Sequence, residues 1–233
     1  PIGAGSKLGL VAVGLIVAGL ISRMGLIPWQ SIQLTTVNAA GYWTSGCVVL
    51  GGQLAGLMAL MRLCGTVWVG FTGEVIVLLI VLTGMSFVAS GCLAARGLTV
   101  GEGALRRWLS AMVMLQSAWL LVGVIASASE LASPENSLSA AVGQPGATSI
   151  VLCASGASLI GLSGLFLMFV HLARRDRSVE FVDDLLGLGQ LAPVSALVVM
   201  TLLASLIGFP PLWGFWSHWM LLIAGFNLRA VDG

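Results

Sequence analysis

Six long apolar runs constrain this chain more than any other feature of its sequence. They cover residues 8–27, 43–64, 73–95, 107–128, 148–172 and 191–226. A helix needs about 20 apolar residues to cross the hydrocarbon core of a bilayer. Only 8% of the residues are charged, whereas soluble domains average about 25%. The sequence therefore predicts an all-α polytopic membrane helix bundle with about six spanning segments.

Glycine and proline interrupt the first and last of these runs, so two of the segments are predicted to be discontinuous. Pro28 closes the first run, and Gly208, Pro210 and Pro211 divide the last. The two interrupted stretches, LISRMGLIPW at 20–29 and LASLIGFPPLW at 203–213, also resemble each other. Paired helix breaks of this kind point to a transporter built from repeats, with its site at the breaks.

The stretch after the first break, residues 28–42, is too polar to face lipid and too uncharged for an ordinary surface loop. Non-helical backbone at membrane depth is tolerated only against protein or water. We interpret this stretch as a re-entrant or buried connection.

Arg23 lies in the first apolar run, shortly before Pro28. A guanidinium at membrane depth costs about 3 kcal/mol on insertion scales, so such cations usually face a bundle interior or a wet cavity. The combination of a buried cation with a broken helix makes Arg23 the first candidate functional residue.

The arginines in the loops predict an orientation. Loops 96–107 and 173–190 carry several arginines, whereas loop 129–147 carries no lysine or arginine. The positive-inside rule places the two arginine-bearing loops on the cytoplasmic side.

Other residue types exclude several functions. The four cysteines have no metal-ligand spacing and are interpreted as small buried apolar side chains. The sequence has no glycine-rich phosphate loop on a strand and no grouped cysteines for an iron–sulfur cluster. We expect no metal, no cofactor and no catalytic residue in this chain. Nucleic-acid binding is excluded because no basic cluster is interleaved with aromatic residues.

Five stretches resemble motifs of the antiporter-like, proton-translocating membrane subunits of respiratory complex I. The resemblance is to the NADH-quinone oxidoreductase subunit N family (subunit 2 in mitochondria), within the proton-conducting membrane transporter superfamily. The matching stretches are RMGLIPWQ at 23–30, GQ to MRL at 52–63, ALRRWL to QSAW at 104–119, DLLGL at 184–188 and SLIGFPPLWGFWSH at 205–218. Family members are considerably longer, so the resemblance implies that 1–233 is a single transmembrane domain from the centre of such a subunit. Either the chain is a fragment, which its Pro1 start favours, or it is a shortened paralogue.

The resemblance also implies a row of buried lysines that relays protons through water, and this chain alters that row. Arg23 stands at the first lysine and cannot lose its proton, so it is either a fixed charge beside a water path or a structural cation. Gln53 stands at the second, as a polar relay or as an interhelical hydrogen-bonding group. Arg106 or Arg107 stands at the third, unless both only anchor the loop.

Two histidines and one glutamine complete the comparison with the family. His218 replaces the lysine after the second break and is either a proton site, since imidazole titrates near neutral pH, or a satisfied interior histidine. Gln116 replaces a family histidine and removes a protonatable group. His171 ends a helix beside a basic loop and is read as interfacial.

Three functions remain open at this point. The first is a membrane-arm subunit of an NADH:quinone oxidoreductase-type complex that translocates protons, coupled to electron transfer in other subunits. The second is a structural or assembly paralogue that has lost the pumping lysines, and the third is a subunit of a cation/proton antiporter. The expected partners are other membrane subunits and the lipid bilayer, in the bacterial cytoplasmic membrane.

Overall fold

The computed structural model describes residues 7–66, 72–97, 103–132, 146–174 and 188–227, and its regular elements there are all helices. They are α1 (Lys7–Arg23), α2 (Gln30–Ala39), α3 (Tyr42–Thr66), α4 (Thr72–Gly97), α5 (Ala104–Ala132), α6 (Ala147–Ala173), α7 (Leu188–Leu191), α8 (Pro193–Ile207) and α9 (Trp213–Asn227). The helices α3 to α6 are each long and apolar enough to cross a membrane. Two shorter apolar helices, α1 and α8, are followed after a break by α2 and α9. The predicted all-α polytopic membrane bundle is confirmed.

The helix α5 forms the centre of the bundle. Of its membrane-crossing stretch, 78% of the residues are buried inside the protein, against 28–44% for the stretches in α3, α4 and α6. It packs against α2, α3, α4, α6 and α9. Its side chains therefore meet protein on nearly every face, whereas the other long helices each leave an apolar face exposed on this chain.

Two apolar clusters fill the interior. The first cluster surrounds the start of the α1–α2 break and includes Met24, Leu26, Leu57, Leu121 and Leu221. The second cluster joins the opposite halves of α3, α5 and α6 to α2 and α8, and includes Val37, Leu109, Leu165, Phe169 and Leu206. Close packing of these buried side chains, and not polar contacts among them, is the main interaction that holds the helices together.

Close helix contacts occur at glycines. A methyl group added to Gly52 would lie 3.0 Å from the carbonyl oxygen of Arg23, and one added to Gly56 would lie 3.0 Å from that of Leu20. These glycines are four residues apart on α3, the spacing that lets two membrane helices approach closely. The end of α1 is thereby held against the middle of α3.

Residues 28–42, interpreted as a re-entrant or buried connection, contain a helix of which only Gln33 and Val37 are buried. Gln30–Ala39 forms α2, and the first helix ends at Arg23 rather than at residue 27. The helix bonds its own backbone groups, and the hydroxyls of Thr35 and Thr36 donate to carbonyls one turn earlier, including that of Ile32. This internal pairing satisfies the polar groups of a stretch that is largely exposed or half-buried on this chain.

The cysteine interpretation holds only in part. Cys64 is buried, but Cys47, Cys92 and Cys153 are exposed on the helix surfaces of this chain. Residues 98–102 of the first arginine-bearing loop, residues 175–187 of the second and most of the DLLGL motif at 184–188 lie outside the described residues. The predicted orientation therefore stays a prediction.

Candidate functional site

Both helix breaks have the same backbone geometry. Gly25 and Gly208 adopt positive φ angles of 70° and 85°, which glycine reaches without steric cost. In each break the glycine N–H donates to the carbonyl three residues earlier, and the next N–H donates five residues back, which is the Schellman end of a helix. The corresponding bonds are Gly25 to Ser22 and Leu26 to Ile21 in the first break, and Gly208 to Ser205 and Phe209 to Ala204 in the second.

The chain then restarts in the same way after each break. The N–H of Trp29 donates to Leu26, and that of Leu212 donates to Phe209. The peptide bonds Ile27–Pro28 and Pro210–Pro211 are both cis. The likeness between residues 20–29 and 203–213 thus extends from sequence to hydrogen bonding.

Two consecutive residues of α5 bind one break each. The side-chain Nε2 of Gln116 donates to the carbonyl oxygen of Leu206 at 2.8 Å, and the hydroxyl of Ser117 donates to that of Met24 at 3.0 Å. The last carbonyls of a helix have no partner within it, so these side chains supply bonds that the breaks need. The central helix therefore joins the two breaks through neighbouring residues.

Gln116 also connects the second break to His218. Its Oε1 accepts from the hydroxyl of Ser158 at 3.2 Å and lies 3.4 Å from Nε2 of His218. The ring of Trp119 lies against the imidazole, with 4.8 Å between the ring centroids. Gln116 is 1% exposed and Ser158 is 6% exposed. The structure thus assembles a polar cluster of the buried Gln116 and Ser158 with the half-buried His218 around the end of α8.

The cluster lies at mid-height of the bundle. Gln116 is the central residue of the membrane-crossing stretch Ala104–Ala128, and Ser158 is near the centre of Ala147–Ala173. On α6, Ala154 belongs to the first apolar cluster and Leu162 to the second. A polar layer therefore separates the two apolar clusters at the depth of the helix breaks.

Gln53 lies in the same layer from the α3 side. It is the central residue of the stretch Tyr42–Cys64, between Val49 of the second cluster and Leu57 of the first. The side chain is 2% exposed, and neither amide atom has a hydrogen-bond partner among the described residues. The interhelical hydrogen bond considered for Gln53 is therefore absent there.

Gln33 is the corresponding buried amide beside the first break. It is 6% exposed and its amide atoms also have no partner among the described residues. A methyl group on Gly25 would overlap its Oε1, so the amide lies directly against the turn of the break. An unpaired buried amide costs about 1–3 kcal/mol per group, and we expect water to bind Gln33 and Gln53.

Arg23 is not buried inside this chain. Its side chain is exposed at the end of α1, because the buried face of that helix is defined by Val17, Ile21 and Met24. Of the two expected surroundings, the bundle interior is wrong for the described residues, and the wet cavity stays a prediction. Arg23 contributes its carbonyl to the contact with Gly52.

Arg106 binds the end of α2. Its Nη1 donates to the carbonyl oxygens of Val37, Asn38 and Ala40 at 2.9–3.0 Å, and its guanidinium carbon lies 4.9 Å from the centre of the Tyr42 ring. A cation at the C-terminus of a helix pairs with its unpaired carbonyls and with its dipole. Neither sequence interpretation of Arg106 included this capping role.

We expect Arg106→Gln to lower the free energy of unfolding by about 2 kcal/mol, because it removes a partly buried cation from a helix end. Arg106→Lys keeps the charge and loses the contact with Tyr42, so its loss should be smaller. The measurement is thermal unfolding of the purified protein in detergent. Arg174→Gln, which removes an exposed arginine, is the control. Equal effects at Arg106 and Arg174 would contradict the capping role.

Sequence reasoning missed several parts of the site. Ser117, Ser158 and Gln33 were not singled out, and Gln116 was noted only as a lost histidine. Their position at mid-helix was available as a signal, because buried polar residues at membrane depth are usually functional or paired. The four-residue spacing of Gly52 and Gly56 was a second signal.

Comparison with known proteins gives a consistent set of relatives. No protein-family model matches the chain. It is 26% identical over 220 residues to NADH-quinone oxidoreductase subunit N 1 of Opitutus terrae, covering 94% of the chain and 40% of that protein. It is also 26% identical over 220 residues to NADH-quinone oxidoreductase subunit N of Paraburkholderia phymatum, covering 94% of the chain and 42% of that protein. The subunit N of Paramagnetospirillum magneticum is 38% identical over 61 residues, 26% of the chain. The chain thus spans 40–42% of the length of the first two relatives.

Proposed function

Because the chain belongs to the family of NADH-quinone oxidoreductase N subunits, we propose that it forms part of the membrane arm of an NADH:quinone oxidoreductase-type complex. Its role there is to translocate protons across the bacterial cytoplasmic membrane, driven by electron transfer in other subunits. The partners are the neighbouring membrane subunits of that complex and the lipid.

The observation that carries this proposal is the cluster of Gln116, Ser158 and His218 at the second helix break. A titratable imidazole lies there in a hydrogen-bonded set at mid-membrane depth, beside a carbonyl released by the break. Ionisable groups inside membrane segments usually mark ion or proton pathways. Imidazole suits the role because it gains and loses a proton near neutral pH.

The buried amides extend the proposed path toward the first break. The amides of Gln53 and Gln33 have no hydrogen-bond partner within the part of the chain that the structure describes. Amides bind water well and cannot themselves take a charge. In this proposal His218 carries the proton and the amides hold water. Arg23 remains a fixed charge, because arginine does not deprotonate in proteins.

A second candidate function is a structural or assembly paralogue. The contacts of Arg106 favour this function, because the guanidinium that stands at the place of a family lysine is already hydrogen-bonded to the end of α2. In that case His218 is a satisfied interior histidine. A cation/proton antiporter subunit is the third candidate, and it would respond to a Na+ or K+ gradient without NADH.

The test is proton pumping by the intact complex in sealed membrane vesicles with His218→Ala. We expect the number of protons moved per NADH oxidised to fall, because loss of one positioned proton-transfer group slows proton transfer by about 10²–10⁴-fold. NADH oxidation with uncoupler and the amount of assembled complex are measured beside it.

The control is His171→Ala, which removes the exposed histidine at the end of α6 and should leave pumping unchanged. Unchanged pumping in assembled His218→Ala complex would reject the translocation proposal in favour of the structural paralogue. Loss of assembled complex with His218→Ala would also favour the structural paralogue.

A further inference from the structure

The orientation of the Gln116 amide is fixed by its partners. The carbonyl oxygen of Leu206 only accepts hydrogen bonds, so the group facing it at 2.8 Å must be the NH₂ of Gln116. The amide is planar, and its oxygen must then face the other way, toward Ser158 and His218. A flipped amide would place two acceptors against each other at Leu206.

The amide oxygen in turn determines which imidazole nitrogen carries hydrogen. Oε1 of Gln116 is an acceptor only, and it lies 3.4 Å from Nε2 of His218. A hydrogen bond between them requires a hydrogen on Nε2. Oε1 has two lone pairs, so a bond from the Ser158 hydroxyl, whose single hydrogen is shared with the carbonyl oxygen of Ala154 at 2.9 Å, does not replace this bond.

The second ring nitrogen lies at the break. Nδ1 of His218 would be 2.9 Å from a methyl group placed on Gly208, so the absence of a side chain there leaves this nitrogen approachable. The N–H of Gly208 is already bonded to Ser205 and does not donate to it. A neutral imidazole with hydrogen on Nε2 has a free lone pair on Nδ1.

We infer that Gln116 holds His218 in the Nε2–H tautomer, so that the imidazole takes up and releases its second proton at Nδ1, on the side of Gly208. Gln116 is thus a positioning residue, oriented by the end of α8 and acting through His218. The tautomer assignment stands on the hydrogen-bond geometry alone, whereas its use in transport rests on the proposed function. The proton's route is then through the helix break and not along Gln116.

The experiment is nitrogen-15 solid-state NMR of the full-length protein in lipid bilayers, with labelled histidine. Spectra are recorded at high pH, where imidazole is neutral, and His218 is assigned from the signals lost in His218→Asn. We expect the ratio of the Nε2–H to the Nδ1–H tautomer to be about fivefold higher in the wild type than in Gln116→Leu, as one net hydrogen bond provides.

Ser158→Ala is the matched control, because it removes the other donor to the same oxygen and should keep the wild-type tautomer ratio. A wild-type spectrum with Nδ1–H dominant or with equal tautomers overturns the inference, even if Gln116→Leu does not fold. An equal tautomer ratio in the wild type and in Gln116→Leu rejects the role of Gln116. The proposed function is judged separately by pumping in His218→Ala, so either can fail alone.

Discussion

Gly214→Ala is expected to destabilise the protein by about 3 kcal/mol, at the upper end of the cost of overpacking a buried site. Gly214 is buried in the first turn of α9, and an added methyl group would overlap the carbonyl oxygen of Ser205 on α8. A backbone atom cannot turn aside as a side chain can, so the two halves of the broken helix must separate. Thermal unfolding followed by tryptophan fluorescence in detergent measures the loss.

Gly156→Ala provides the control for this substitution. Gly156 lies within α6, which packs against both α8 and α9, and a methyl group there would meet no atom within 4 Å. Alanine in a helix interior is worth roughly 0.5–1 kcal/mol more than glycine, so this variant should be slightly more stable. A melting temperature of Gly214→Ala equal to that of wild type would contradict the close approach of α9 to α8.

Gln116→Leu is expected to cost about 2–4 kcal/mol, because it leaves one buried and one half-buried partner without a hydrogen bond, at about 1–3 kcal/mol for a fully buried group and less for the other. Those partners are the carbonyl oxygen of Leu206 and the Nε2 of His218. Leucine is similar in size to glutamine and apolar like the side chains of the two apolar clusters. The loss of stability therefore measures the missing hydrogen bonds and not a new cavity. The midpoint of chemical unfolding of the purified protein gives the difference.

Ser117→Ala is the neighbouring comparison. It removes a single bond, from the hydroxyl to the carbonyl oxygen of Met24, and should cost about 1 kcal/mol. If Gln116→Leu cost no more than Ser117→Ala, the bonds of Gln116 to the second break and to His218 would not contribute as the geometry indicates.

The helix breaks could be predicted from sequence because their causes are local. Gly25 and Gly208 supply the positive φ that ends a helix, and the prolines that follow lack an N–H. The spanning helices followed from apolar length alone. His218 was found from its place in the motif after the second break.

The partners of the site could not be predicted, because they depend on contacts between distant segments. Arg106 meets the end of α2 across more than sixty residues of sequence, and a sequence pattern shows only that it begins a helix. The polarity of residues 28–42 predicted a re-entrant or buried connection, whereas the structure has the helix α2 there, with threonine hydroxyls bonded within it. Arg23 was expected to face the bundle interior because the length of an apolar run does not show which face of the helix is turned toward that interior.

The central position of α5 could not be predicted from the sequence either. Its apolar length is similar to that of its neighbours, and only the packing distinguishes a helix enclosed by protein from one facing lipid. In the sequence motif Gln116 showed only the absence of a histidine, because its hydrogen-bond partners Leu206, Ser158 and His218 come from distant segments.

The adjacency of Gln116 and Ser117 has a mechanical consequence. Because a helix moves nearly as a rigid rod and successive residues rise only about 1.5 Å along it, any sliding or turning of α5 stretches its bonds to Leu206 and Met24 at the same moment. A displacement of α5 from either end of the protein is therefore transmitted to both helix breaks. Opening of one break is likewise transmitted to the other through α5.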